Sequence, residues 1–482
     1  MSLSGALSNA MSGLIANARA TTVISSNVAN ALNENYGRRD VSLSANATQT
    51  SGGVIVAQVT RNADPILAFQ KRMARADHSA ASAHATFQKD LEQLVGSVDT
   101  TGSLAAKLTA FQTALLSAEA DPSSQTRLRN VSFAADAFAS GLRAASDGIV
   151  ALRTASDASI GQKVADMNAG LVQLQHLNER IMTARHLGQD MHGLLDQRDA
   201  TLESLSGFVP LHVVERDSGA IAVFTTQGRT LLDDRAVTLE FNITPNVLPH
   251  MNVSNGLLSK ITVDGKTLDI PGSAMMDGGE LGALFTIRDA TAPLASGQLD
   301  AIARDVIERF GPGGPDLTLA AGTPGVFTDG GAPLDPAASI GLAGRISLNN
   351  LLSSSGNETW RWRDGINATA PGEVGQGALL GGLSAEIENA RVAGSLVLGT
   401  GPQNLANHFH RLSSDISADR IRLTNAQEQA EDRFQSLRQA SAADGVNTDQ
   451  ELQKLIELEK SYAANARIVR VVDEMLSELL RI

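Results

Sequence analysis

The side chains that could do chemistry in this chain are few and poorly spaced for it. His408 and His410 stand two apart, so on a helix they diverge and cannot share a metal ion. There is no His-Glu-x-x-His pair and no cysteine, which removes the common zinc-ligand sets and every disulfide. Gly375-Gln376-Gly377 lacks the third glycine and the preceding strand of a dinucleotide loop, and no other glycine-rich phosphate cradle occurs. His78, His84, His176 and His192 lie among charged and polar neighbours and are expected at the solvated surface. A Ser-His-Asp triad is recognised by geometry, not by spacing, and nothing here points to one. The expectation is a chain with no catalytic, cofactor-binding or metal-ligating residues.

What does recur is an apolar stripe at each end. Leu3, Leu7, Ala10, Leu14, Asn17, Thr21, Ile24 and Val28 step by four and three, and so do Leu455, Leu458, Tyr462, Asn465, Val469, Val472, Leu476 and Leu479. A period of 3.5 residues marks helices that wind around one another. The pattern alone allows a hairpin within one chain or pairing between chains. Two features favour use between chains. The first stripe carries Ala, Asn and Thr at seam positions, so burying it would add little stability to a monomer. Its other faces are Ser, Gly and Ala, which suit close packing on several sides. A membrane-surface helix would want Lys and Arg there, and only Arg19 is present. With a single charge over 1–33, this segment is expected to be mobile in the monomer.

The net charge of −13 argues against nucleic acid, whose binding depends on Lys and Arg against phosphate. No apolar run approaches the ~18 residues of a membrane span, and no secretory signal opens the chain. On composition alone the protein would be placed in the cytosol. Its 482 residues leave room for roughly three domains.

Elements follow from punctuation and period. Asn27, Asn30, Asn33, Asn35 and Gly37 end the first helix in a turn. Residues 41–60 alternate as short extended segments. Asp64-Pro65 reads as N-cap and first helical position. The helix behind it keeps register through Ile66, Met73, Ala80, Phe87 and Leu94. Another helix covers about 103–118, and Asp121-Pro122 repeats the start signal. Leu128, Val131, Ala135, Phe138, Leu142, Ala145, Ile149 and Leu152 then form a long stripe, which Ile160, Val164, Met167, Leu171, Leu174 and Ile181 continue. Between 205 and 380 strands are expected at Val209–Val213 and Ile221–Thr225, with Asp264-Gly265 turning a hairpin between Ile261–Val263 and Leu268–Ile270. One helix interrupts at about 297–310, residues 311–336 are loop, and helix returns at about 383–440. The fold class is therefore mainly α with an inserted β-rich domain. Its terminal helices form a coiled coil, and a β module separates the two halves of a long antiparallel helical-bundle rod. Domain boundaries are expected at 1–60 plus 441–482, 61–204 plus 381–440, and 205–380.

Several stretches resemble a known family. Leu7 to Leu14, Ser25-Ser26-Asn27-Val28-Ala29-Asn30 and Tyr36-Gly37-Arg38 are similar to the N-terminal signature of bacterial flagellar axial proteins. Val446-Asn447-Thr448-Asp449, Ser461-Tyr462-Ala463-Ala464-Asn465-Ala466-Arg467 and Val472-Asp473-Glu474-Met475-Leu476 resemble their C-terminal partner. Leu194-Leu195-Asp196-Gln197-Arg198-Asp199 and Gly278-Gly279-Glu280-Leu281-Gly282-Ala283-Leu284 with Arg288-Asp289 narrow the resemblance to the hook-associated protein 1 family, over about 1–310 and 383–482.

That resemblance implies a structural, non-enzymatic protein. Its location would be outside the cell, in the flagellum at the hook–filament junction, reached by unfolded export through the flagellar type III apparatus. It implies self-assembly in a tubular array through terminal helices that pair on assembly. Hook protein would lie below, a second junction protein above, and an export chaperone on the C-terminal helix is a further partner to expect. No nucleic acid or membrane insertion is implied. The assembly residues would be Leu3, Leu7, Leu14, Ile24, Asn27 and Asn30 with Leu455, Leu458, Tyr462, Asn465, Val469, Val472, Leu476 and Leu479. A hook or distal-rod subunit shares both end signatures, but the registers from Ile66 and Leu128 favour a helical block those chains lack. A secreted enzyme with a hydrolytic site in 205–380 is the remaining alternative, and no paired acids or nucleophile motif supports it.

Overall fold

A computed structural model describes residues 3–45, 52–97, 100–267 and 278–481. Its helices are α1 (Leu3–Ala29), α2 (Pro65–Val95), α3 (Leu104–Ala120), α4 (Gln125–His186), α5 (His192–Phe208), α6 (Gly279–Thr286), α7 (Ala292–Arg309), α8 (Arg361–Asp364), α9 (Ala378–Glu388), α10 (Leu405–Ala443) and α11 (Thr448–Leu479). The strands are β1 (Arg39–Ala45), β2 (Val54–Arg61), β3 (Leu211–Glu215), β4 (Ile221–Thr225), β5 (Thr230–Leu232), β6 (Leu239–Glu240), β7 (Thr262–Val263), β8 (Lys266–Thr267), β9 (Phe327–Asp329) and β10 (Ile346–Leu348). Among the described residues every sheet is small and antiparallel: β1-β2, β3-β4-β5, β6-β7-β8 and β9-β10. The chain is thus mainly helical with its short sheets concentrated in the middle.

Local signals explain most boundaries. Asp64 Oδ1 accepts from the backbone N–H of Ile66 at 2.8 Å and of Leu67 at 3.1 Å, and Pro65 opens α2 as predicted. The second Asp-Pro behaves differently. The Asp121 N–H donates back to Ala118 O, closing α3, and α4 starts at Gln125 behind Ser124. Two successive helices need a turn between them, and Pro122 stands in it. The helix expected at 297–310 is longer. It runs from α6 through a π turn (Ile287–Thr291) into α7. The returning helical block is interrupted, since α9 ends at Glu388 and α10 begins at Leu405. Asp264-Gly265 does turn a hairpin, with Thr262 opposite Thr267 and Val263 opposite Lys266. The expected partner strand Leu268–Ile270 lies outside the described residues.

Two compact units result. The first comprises Met1–His78, Met167–Val237 and Ala430–Ile482. Here Asn178 of α4 clasps β4: its Nδ2 donates to Ile221 O at 2.8 Å and its Oδ1 accepts from Ile221 N–H at 3.1 Å. Arg198 of α5 donates to Gly219 O at 2.8 Å, holding the β3–β4 turn.

The second unit comprises Ser79–Asp166 and Thr238–Gln429. Its core is aromatic. Phe111 meets Phe327 edge-on at 5.7 Å between centroids, Phe138 meets Phe409 at 5.6 Å, and the Trp362 indole N–H donates to Ser132. The predicted α4 stripe from Leu128 through Ile149 is buried against this core. Two buried guanidiniums are compensated nearby. Arg288 pairs with Asp157 at 2.8 Å between the rings of Phe241 and Phe285, and Arg309 pairs with Asp305 at 2.7 Å.

Of the histidines expected at the surface, His176 is exposed, whereas His78, His84 and His192 are only half-exposed. His78 is half-buried and stacks on Phe434, and His84 is half-buried on α2. His408 is buried, with its Nε2 left without a hydrogen-bond partner among the described residues. Burial lowers the pKa of His408 from its ordinary 6.5; nearby Asp305 opposes this and Arg309 and Arg411 add to it. His84 shifts the same way, by burial and then Arg422. A histidine held neutral by the fold costs nothing above its unfolded pKa. Below that value the unfolded chain takes up a proton the folded one refuses, so stability falls with pH. The urea midpoint is expected to drop between about pH 7 and about pH 5, and to drop less in His408→Gln. Parallel slopes in the two proteins would remove His408 from the acid response.

Candidate assembly site at the root of the terminal helix pair

α1 and α11 lie side by side and antiparallel. Asn27 meets Glu451, Asn17 Nδ2 donates to Ser461 Oγ at 3.0 Å, and Gly13 faces Asn465. Leu7, Val469, Val472 and Leu476 line a cleft of about 230 Å³ further along. The helices approach closely because the α1 seam is small. A Cβ placed on Gly13 would stand 2.6 Å from Asn465 Nδ2. The buried positions Ala10, Gly13, Asn17, Ala20, Ile24 and Asn27 step by three and four. This is the predicted period in a neighbouring phase: Gly13, Ala20 and Asn27 take the burial that the pattern assigns to Leu14, Thr21 and Val28. Hairpin β1-β2 covers another side of α1, with Val54 N–H donating to Ser12 Oγ at 3.1 Å.

The individual assembly candidates are distributed as follows. Ile24, Asn27 and Val472 are buried; Leu3, Leu7, Leu14, Asn30, Leu455, Leu458, Asn465 and Val469 are half-buried. Tyr462, Leu476 and Leu479 remain exposed. A second apolar set on α11 turns outward: Ile468, Val471, Met475 and Leu479 repeat at helical spacing, each about half exposed. Met11 and Ile15 do the same on α1.

The pair is fixed at one end by a polar cluster. Asn27 is fully buried and satisfied on both sides of its amide. Its Nδ2 donates to Arg39 O at 2.8 Å and to Glu451 Oε2 at 3.0 Å; its Oδ1 accepts from Tyr36 Oη at 2.8 Å and Arg39 N–H at 3.1 Å. Glu451, itself buried, also receives Lys454 Nζ at 3.1 Å. The Arg39 guanidinium sits 4.9 Å from the Tyr36 ring centroid and reaches Asp196 of α5 at 3.2 Å. Asp196 accepts besides from Gly37 N–H at 3.0 Å and Arg61 Nε at 2.8 Å, while Arg61 also binds Asp199 at 2.7 Å. Gly37 is required by proximity, since a Cβ there would lie 2.3 Å from Arg61 Nε. The Asp carboxylates raise the Arg61 pKa in spite of its burial.

The arrangement can hold helices together. Among the described residues no three His, Asp or Glu side chains group to hold a metal, and no helix is long and apolar enough to cross a membrane.

Comparison with known proteins bears on this site directly. Residues 88–311 match the model "Flagellar hook-associated protein FlgK helical domain", and residues 439–482 match "Flagellar basal body rod FlgEFG protein C-terminal". Flagellar hook-associated protein 1 of Bacillus subtilis is 26% identical over 520 residues, covering 98% of this chain and 97% of that one. The chain is thus similar to flagellar hook-associated proteins over nearly its whole length. A hook-associated protein 1 of Salmonella typhimurium is also 26% identical, over 296 residues, covering 59% of this chain and 52% of that protein. A solved flagellar hook junction protein FlgK from Burkholderia pseudomallei aligns with TM-score 0.45 and 24% identity, over 55% of this chain and 47% of that one. The second family match contains all of α11, the partner of α1 in the helix pair.

The periodic stripes point to the two helices of the pair but not to the residues that anchor it. Arg39, Arg61, Asp199, Glu451 and Lys454 were not among the candidates. One signal for Glu451 exists: it continues the stripe of Leu455 and Leu458 by another step of four, placing a carboxylate at a seam position. Asp196 and Asp199 belong to the Leu194–Asp199 stretch that carries the family resemblance, and their contacts explain why acids are needed there. Asn27→Ala would leave Arg39 N–H and O, the Tyr36 hydroxyl and Glu451 short of a partner, at a cost of about 2 kcal/mol. Amide exchange should quicken along α1 and α11 while the core of the second unit keeps its protection; unchanged exchange in α1 would mean that Asn27 does not anchor the pair. Gly37→Ala is expected to give a weaker version of the same pattern.

Proposed function

We propose that this chain joins hook to filament as the first junction protein of the bacterial flagellum, a non-enzymatic structural role required for filament assembly. The observation that carries the reading is the terminal helix pair with an apolar face left open. A pair anchored at its root, weakly sealed along its seam and apolar outward is suited to further helices packing on it. Repeated heterologous contacts of that kind propagate as a tube instead of closing as a dimer. Hook protein would lie below and a second junction protein above, with the chain exported through the flagellar type III apparatus. In that setting the pair becomes a coiled coil of the inner tube, formed by 1–60 with 441–482. A helical rod (61–204 with 381–440) and a β-rich outer part (205–380) surround it. An export chaperone on the apolar C-terminal helix fits the same exposed face. A hook or distal-rod subunit is disfavoured by the helical-domain match over 88–311.

Deleting the gene in its source bacterium and imaging the cells tests this. Bare hooks, with filament protein lost to the medium, are expected; cells without hooks would move the protein to the rod or hook, and normal flagella would reject the role. Leu476→Asp places a charge at the partly open edge of the cleft between the two terminal helices. It should leave the monomer's helicity within about 5% by circular dichroism and abolish filament formation. A general loss of helicity would show that this position serves folding instead.

A further inference from the structure

The chain has no cysteine, so its ten methionine thioethers are its only sulfur. They differ sharply in environment. Met167 is fully buried in α4, whereas Met11 and Met475 are 48% and 52% exposed. Both exposed residues stand on the outward apolar faces of the terminal helices. Met11 lies four residues before Ile15; Met475 lies four residues after Val471 and four before Leu479. Neither faces the seam, where Gly13 meets Asn465 and Leu7 meets Val472.

We propose that Met11 and Met475 are oxidation sites, and that their conversion to the sulfoxide prevents the terminal helix pair from joining other subunits. This rests on the assembly reading above. The oxidant is of the peroxide class. One oxygen of hydrogen peroxide bonds to the thioether sulfur, the O–O bond breaks and water leaves; the sulfur loses the two electrons that the peroxide gains. The product carries a strong dipole where an apolar contact has to form. Drying that dipole without a hydrogen-bond donor disfavours association. The helix pair itself persists, because both side chains point away from its seam. Met182, 39% exposed on α4 and not on either terminal helix, should oxidise without this consequence.

The test uses the full chain and hydrogen peroxide. Peptide mapping through a time course should show Met11 and Met475 converting about tenfold faster than Met167; equal rates would overturn the assignment. Untreated, treated and Met11→Leu/Met475→Leu treated protein are then co-sedimented with isolated flagellar hooks. Untreated protein should bind, treated wild type should bind about tenfold less, and the treated double variant should bind like untreated protein. If the treated variant loses binding as far as wild type does, another residue is responsible and the proposal fails. If untreated protein does not bind, the assembly reading fails first and this proposal falls with it. Circular dichroism of the treated wild type should be unchanged, which separates a blocked surface from an unfolded one.

Discussion

The first unit depends on satisfying one buried amide. Asn27 sits in a helix seam from which water is excluded, so both ends of its side chain need partners within the protein. Those partners come from three places in the chain: Tyr36 in the turn after α1, Arg39 at the start of β1, and Glu451 at the start of α11. Each partner is in turn held by a charge. Lys454 holds Glu451, and Asp196 and Asp199 hold Arg39 and Arg61. A single neutral side chain therefore sets the positions of a hairpin and three helices. Replacing it would unsettle more than the contacts it makes directly, since networked polar groups do not contribute additively.

The second unit is built on a different principle. Its interior is a cluster of rings and aliphatic side chains, with Arg288 and Arg309 held there by acids and backbone carbonyls. These buried guanidiniums add little net stability, because desolvation offsets their pairing. What they contribute is placement: Arg309 alone ties α7 to the carbonyl of Glu386 in α9 and to those of Asn389 and Gln403 within the break before α10.

How much could be read from the chain follows from whether the governing interaction is local. The long register on α4 is legible because a helix repeats its burial every three to four residues; on α2 the helix is legible but its register is not, since Phe87 is buried while Ile66 is exposed and Met73, Ala80 and Leu94 are half-buried. The Asp64 cap was legible because its partners are two and three residues away. The phase of the α1 seam was not. Counting large side chains favours Leu14, but contact with α11 selects the small residues that let two backbones approach. The root was least legible, since residues 27, 36, 37, 39, 61, 196, 199 and 451 meet only in three dimensions. The Leu194–Asp199 and Tyr36–Arg38 stretches both stand out as sequence signatures. That one stretch exists to hold the other is visible only in the structure.

The contact between Asn27 and Glu451 spans 424 positions of sequence, and this separation has a consequence in time. α1 is synthesised long before α11, so all of the intervening chain is made before the two helices can pair. Closing so large a loop is slow as well as late. Until then α1 has only a small-residue seam to offer and little tendency to hold a helix alone. The order of synthesis thus keeps α1 uncommitted until α11 has followed it, a property that comes from topology.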